Sequence, residues 1–305
     1  MDINNTQIPW YRRLWKDYGN ILYCIPVLLG ILIFTLIPMI YSLVYAFCDY
    51  NFYYAENQFS NFGFQQFGKI FGTDLTSTLH SFFITFRYAI ATIAIGMVGS
   101  YIIALFLNQK TKGVDAFRVV YYLPCLIPAV AGSLLWKNLT DTYGLFNNYL
   151  MALGFEPYTF YTHGDTVFPT ILMLSVWGWP GSMIMWLAQM KNVPAEMYES
   201  AELDGAGYLT KTFNITIPMT TSMIFYQLIM SVINALQVFA GFYPLMNGQN
   251  EGELDFIVVR IYKAAFVNYQ ISYAAALSWV LFVVIGVLTI GIFKTSKWVY
   301  YGEEA

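Results

Sequence analysis

Six long apolar stretches constrain this chain more than any other feature, because each approaches the roughly 20 residues a helix needs to cross about 30 Å of hydrocarbon. They run from Ile21 to Phe47, about Phe82 to Leu107, Phe117 to Trp136, Val167 to Met190, Met219 to Gly241 and Ile271 to Phe293. Lipid offers no water to pair backbone N–H and C=O groups, so each stretch is read as a helix that satisfies its own backbone. Composition agrees: of 305 residues, 58% are hydrophobic and 11% are charged, against roughly 25% charged in a soluble domain. A net charge of -3 carries no footprint for nucleic acid, and so much apolar surface excludes a disordered chain. The expected fold is an all-α membrane protein of about six transmembrane helices, with lipid as the solvent for most of it.

Lysine and arginine concentrate on the cytoplasmic side of membrane proteins, which sets the orientation. An inside N-terminus assigns Arg12, Arg13, Lys16, Lys110, Lys112, Arg118, Lys191, Lys211, Lys294 and Lys297 to the cytoplasm. Lys69, Lys137, Arg260 and Lys263 are then outside, and both termini are cytoplasmic. The chain divides into a cytoplasmic segment 1–20, a transmembrane domain 21–293 with a prominent inner loop at about 192–218, and a cytoplasmic tail 294–305. The first stretch follows basic residues as a signal peptide does, but it is too long and lacks a small-x-small cleavage site, so it is read as an anchor. Arg87, near the outer end of the second stretch, is read as reaching to the interface. The outer segments 49–81, 137–166 and 242–270 are rich in Tyr, Phe, Asn and Gly, which suits interfacial anchoring or docking of an extracellular protein.

Enzymatic and metal chemistry find little support. Cys24, Cys48 and Cys125 show no CxxC spacing, and His80 and His163 are the only histidines. No nucleophile and base pair up at matching depth, so the chain is read as not an enzyme and as binding no metal.

The inner loop is the most informative segment. Pro194 suits a helix start, Glu196, Glu199 and Glu202 favour its positively polarised end, and Asp204-Gly205 supplies a turn. Met197, Ala201 and Leu203 form an apolar side, and a second short helix is expected from about Tyr208 to Phe213, ahead of Pro218. The bland reading is a surface connector between two spans. The spacing of Glu199, Ser200, Ala201, Gly205, Ile215, Ile217 and Pro218, however, resembles the EAA loop of permease subunits of binding-protein-dependent ABC importers. Ser200 stands where that motif usually has Ala, and Ile217 where it has Leu. Further stretches are similar to the carbohydrate-type, MalF/UgpA-like branch: Ile37-Pro38-Met39-Ile40-Tyr41-Ser42, Tyr122-Leu123-Pro124, Trp136-Lys137, Tyr143-Gly144-Leu145, Gln237-Val238-Phe239 and Tyr273-Ala274-Ala275-Ala276.

That resemblance implies a type I ABC importer permease fold in a bacterial cell membrane. It implies that the loop couples to a cytoplasmic ATPase, with Glu199, Ser200, Ala201, Asp204 and Gly205 as the coupling residues. The implied partners are a second, homologous permease forming a heterodimer, two ATPase subunits and an extracellular solute-binding protein. The chain has no ATP site of its own: Gly205-Ala-Gly-Tyr-Leu-Thr-Lys-Thr212 has the length of a Walker A loop but carries Thr210 where the second glycine belongs. ATP and Mg are therefore expected on the ATPase, with no cofactor on this chain.

For the solute, Trp177-Gly178-Trp179-Pro180-Gly181-Ser182 is read as a break in the fourth span, a device tolerated at depth where backbone faces a cavity. Sugars bind through amides, hydroxyls and aromatic faces. Trp177, Gly178, Trp179 and Ser182, with Asn234 and Gln237 three apart on the fifth span, are the expected substrate path, a placement that the resemblance supports. Against it stands a purely structural reading of these amides and tryptophans as interhelical packing. Cys125 and Ala129 fall where a maltose-type permease has larger polar side chains. The rival function is an ion-coupled secondary transporter, which needs buried carboxylates or histidines that no span centre provides.

Overall fold

The computed structural model describes residues 23–50, 59–109, 111–161 and 164–300. The basic residues Arg12, Arg13, Lys16 and Lys110, His163, and the start of the first stretch at Ile21 lie outside the described residues. Twelve helices are used below to describe the chain. They are α1 (Tyr23–Ala46), α2 (Gln65–Phe71), α3 (Leu75–Leu107), α4 (Val114–Leu126), α5 (Ala129–Leu139), α6 (Leu145–Ala152), α7 (Gly164–Lys191), α8 (Ala195–Leu203), α9 (Tyr208–Met219), α10 (Thr221–Leu236), α11 (Ile257–Tyr262) and α12 (Ile271–Lys294). Between α1 and α2, β1 (Asp49–Tyr50) pairs antiparallel with β2 (Phe59–Ser60), with Asp49 opposite Ser60.

Four helices, α1, α3, α7 and α12, are each long and apolar enough to span a bilayer. Two further helix pairs are sharply bent, and the count reaches six only if each pair is taken as one span. The third expected span is α4 and α5 meeting at 97°, and the fifth is α9 and α10 meeting at 67°. Neither is the single straight helix that hydropathy predicts. The break in the third span has a backbone cause: Ile127 is extended (ψ 123) because the ring of Pro128 excludes the helical conformation from the residue before it. The fifth span bends at Thr220, two residues after Pro218.

The fourth span runs the other way. The expected break at Trp177–Ser182 amounts to a short 3-10 turn, Val176–Gly178, inside the continuous helix α7. Pro180 falls in the first turn after that tightened segment, where a missing N–H costs little. The second span also differs, because α3 starts at Leu75 rather than Phe82. Its 33 residues span about 50 Å, longer than the roughly 30 Å hydrocarbon layer.

α3 is the central pillar, packing along α7 on one side and α10 on another. Small residues allow the approach: Ala89, Gly96, Gly99, Ser100 and Ala104 face neighbouring helices. Two apolar clusters fill the outer half. One joins Ala89, Leu236, Ile257 and the Tyr273–Leu277 run of α12, and the other joins Tyr88, Val167, Ile171, Phe242 and Phe256. A third, Ala104, Met183, Trp186, Leu187 and Met190, seals the inner half between α3 and α7. Arg87 stacks over the ring of Phe168 at 3.8 Å, which fastens the outer end of α3 to α7. Through most of its length α1 is exposed; from Tyr23 to Tyr41 only Gly30 is half-buried, and the outer part of the helix packs on α12.

Candidate functional site

The inner loop links the end of α7 to the start of α9 and projects from the bundle. α8 starts behind Pro194, whose extended backbone (ψ 131) occupies the N-cap, and Glu196 lies in the first turn beside unpaired backbone N–H groups. The helix stops on a paired hydrogen-bond motif: the Ala206 N–H donates to the Ala201 carbonyl (2.8 Å) and the Gly205 N–H to the Glu202 carbonyl (3.0 Å). Gly205 adopts φ +78 to make it, a left-handed conformation that costs glycine nothing and most other residues strain. A Cβ at this position would meet nothing within 4 Å, so backbone conformation, not space inside the chain, requires the glycine.

Across the turn, Lys211 Nζ lies 2.6 Å from Glu202 Oε1. The hydrogen bond from Lys211, followed by its charge, holds the Glu202 carboxyl below the ordinary glutamate range. The expected second helix does form, but it continues past Phe213 to Met219 through a wider turn at Thr212–Thr216.

The expected coupling residues all reach the surface. Glu199, Ser200, Asp204 and Gly205 are exposed and Ala201 is half-buried. Among the described residues, Glu199 and Asp204 form no ion pair. Leu203 is 90% exposed, and Met197 and Leu209 are exposed beside it. Exposed apolar side chains of the loop thus stand among carboxylates without an ion pair, while Ala201 is half-buried toward the bundle. A surface of that kind is suited to a partner rather than to the interior.

The substrate-path residues separate into two groups. A cavity of about 230 Å³ lies between α3, α7 and α10, lined by Thr92, Ser175, Gly178, Trp179, Ser231 and Asn234 among others. The Trp179 Nε1 donor is buried and has no hydrogen-bond partner among the described residues. Three of the six expected residues, Gly178, Trp179 and Asn234, thus meet at one cavity. Trp177 turns the other way: its Nε1 donates to the Pro124 carbonyl (3.2 Å) and its ring stands edge-on to Trp136 at 5.5 Å. Gln237 falls one residue past the end of α10, so the helical face expected to join it to Asn234 ends first. Ser182 is half-buried on α7, outside this cavity. Cys125 lies at the break of the third span against Gly181, where an added Cβ would sit 3.8 Å from its sulfur.

Sequence reasoning missed Thr92, Ser175 and Ser231. Their signal was spacing: Thr92 and Gly96 are four apart on α3, and Ser231 and Asn234 three apart on α10, each pair sharing a helix face.

Residues 96–296 match the model of the binding-protein-dependent transport system inner membrane component. The chain belongs to that family. The matched range takes in the last third of α3, the α8 loop and all of α12. Among relatives, the chain is 33% identical over 300 residues to the probable ABC transporter permease protein YesP of Bacillus subtilis, covering 96% of each. It is 26% identical to the arabinooligosaccharides transport system permease protein AraP of the same organism, covering 92% of this chain and 89% of that one. A chain in the crystal structure of a bacterial ABC transporter that imports the acidic polysaccharide alginate has the same fold, with a TM-score of 0.81 and 25% identity over 93% of this chain and 98% of the other. The family resemblance read from the loop is thereby established, as is the membrane permease fold. These relatives are transport permeases, in keeping with a non-enzymatic chain.

Proposed function

We propose that the chain is the membrane-spanning permease of an ATP-driven, binding-protein-dependent importer, lining with a second permease the path of a sugar, specifically an oligosaccharide. The observation that carries this reading is the outward-facing α8 loop: a rigidly terminated helix bearing Leu203 and the unpaired carboxylates of Glu199 and Asp204 at the membrane's inner face. Such an element, fixed at both ends to spans, is suited to seat in an ATPase subunit and carry its closure to the bundle. ATP and Mg belong to that ATPase. A second permease, different but homologous, forms the other half of the path, and the poorly covered α1 is a surface on which it can pack. Sugar as the cargo is supported by the amide, hydroxyl and indole groups around the Trp179 cavity and by the names of oligosaccharide permeases among the relatives. A solute-binding protein on the outer side completes the assembly; the alginate importer of the same fold was crystallised with a pentasaccharide-bound periplasmic protein.

Ion-driven transport is the alternative, and the arrangement of charge disfavours it. Among the described residues, the carboxylates on the spanning helices, Asp115 and Asp165, sit in first turns rather than at mid-depth. Affinity capture of the chain in mild detergent tests the assembly: a homologous permease and an ATPase should co-purify in stoichiometric amounts. Uptake of a panel of neutral and acidic oligosaccharides should collapse when ATP is depleted and survive loss of ion gradients. The opposite dependence, or a chain that purifies alone, would overturn the reading.

A further inference from the structure

The loop is tied to the bundle by a short series of hydroxyl contacts that meet at the bend of the fifth span. Tyr198, on the half-buried side of α8, has its hydroxyl 3.0 Å from Thr216 Oγ1. Thr216 is 4% exposed and ends the widened turn of α9. One turn on, Thr220 is wholly buried at the 67° bend, and its hydroxyl donates to the Thr216 carbonyl at 2.8 Å. Thr220 Oγ1 also lies 3.0 Å from the Tyr101 hydroxyl, a hydrogen bond that either hydroxyl can donate. Tyr101 belongs to α3 and also stands edge-on, at 5.1 Å, to Trp186 of α7, the helix that leads into the loop. The helix before the loop and the helix after it are thus both registered on one side chain.

We infer that Tyr101 and Thr220 form the fulcrum that passes movement of α8 to α10, with Tyr198 and Thr216 as the link from the loop. The geometry favours this over simple glue. At Thr220 the ladder is irregular: the helix is widened at Thr212–Thr216, Pro218 has no N–H to give, the Thr220 N–H is shared between the Thr216 and Ile217 carbonyls at 3.1 Å each, and the Thr220 hydroxyl shares the Thr216 carbonyl. Beside these backbone bonds, one side-chain hydroxyl contact ties the bend to the pillar α3 (Tyr101–Thr220) and another ties the preceding turn to the loop (Tyr198–Thr216). These residues touch no solute; they are positioning residues, and their role rests on the coupling function proposed above for the loop.

The test uses the whole complex captured with this chain, trapped with ATP and orthovanadate, and hydrogen–deuterium exchange of α8 and α10. In the unmodified complex both helices should change protection on trapping. Tyr101→Phe, which keeps the ring against Trp186, and Thr220→Val, which keeps the shape, should leave the α8 response in place. The α10 response should shrink about 3- to 10-fold, the range set by one lost hydrogen bond. The double variant should lose no more than either single one. Tyr208→Phe, which removes a hydroxyl bond to the Leu105 carbonyl without touching Thr220, should leave α10 responsive. An unchanged α10 response in Tyr101→Phe and Thr220→Val would overturn the fulcrum, as would equal losses in α8 and α10. If α8 itself fails to respond in the unmodified complex, the coupling function fails and the fulcrum with it.

Discussion

Trp179 lies with its six-membered ring over Gly99: a Cβ built on Gly99 would sit 2.2 Å from Cζ3 of the indole and 2.5 Å from Cη2. No real methyl group stands that close to a rigid ring, so α3 and α7 meet here at a distance only glycine permits. Gly99→Ala must push the indole or the helices apart, at a cost of about 1–3 kcal/mol. We expect a lower melting temperature for the detergent-solubilised complex, largely restored by Trp179→Leu in the same chain. Equal melting temperatures for Gly99→Ala and the unmodified protein would show that the contact is not tight.

The two tryptophans of the fourth span should respond differently. Trp177 spends its N–H on the Pro124 carbonyl, so Trp177→Phe should lower thermal stability by about 1 kcal/mol with little change in apparent affinity for solute. Trp179 offers a buried N–H to the cavity, so Trp179→Phe and Asn234→Leu should raise the uptake KM by about 3- to 10-fold at nearly constant ATPase rate. KM changes of equal size in Trp177→Phe and Trp179→Phe would remove the cavity from the solute path.

Gly205 can be ranked by backbone preference. At φ +78, Asn is the least disturbing replacement and Ala costs about 1–2 kcal/mol. Proline also removes the N–H that bonds the Glu202 carbonyl. Uptake should fall in the order Gly, Asn, Ala, Pro, while the assembled membrane chain persists in detergent. Normal uptake by Gly205→Pro would separate the helix stop from function.

Glu202 gives the loop a defined pH response. Its carboxyl is held below the ordinary glutamate value by the Lys211 hydrogen bond and charge, so the folded state binds its proton less readily than the unfolded chain does. The stabilising contact is complete above the usual glutamate range, near pH 4.3, and is lost as the pH falls through the lowered folded value. Amide exchange across residues 202–211 should therefore be faster in Glu202→Gln than in the unmodified chain at neutral pH and should converge in strong acid. A gap that persists there would mean that the side chain acts through something other than its charge.

The four continuous spanning helices were legible because hydropathy averages over twenty residues, the length a helix needs to cross lipid. Bends were harder. The pair Ile127-Pro128 did announce the 97° break, since the residue before a proline avoids the helical region, but the surrounding apolar run hid it. Conversely, Trp177–Ser182 contains two glycines and a proline yet stays within one helix, because its proline falls where a new turn begins. The helix and turn of the α8 loop were legible down to Gly205, since turn chemistry is local. The cavity was only half legible: which way Trp177 and Trp179 point depends on Pro124 and Gly99, residues more than fifty positions away.

The sparse cover on α1 bears on how the chain is made. Its chief partner inside the molecule is α12, so the first spanning helix described is held by the last. At ordinary synthesis speeds that partner leaves the ribosome on the order of tens of seconds later. Throughout that interval α1 waits in lipid with its apolar surface unclaimed, available to a neighbouring chain before it is available to its own. Subunits synthesised side by side would then meet through their earliest helices, so pairing would precede completion of the fold rather than follow it.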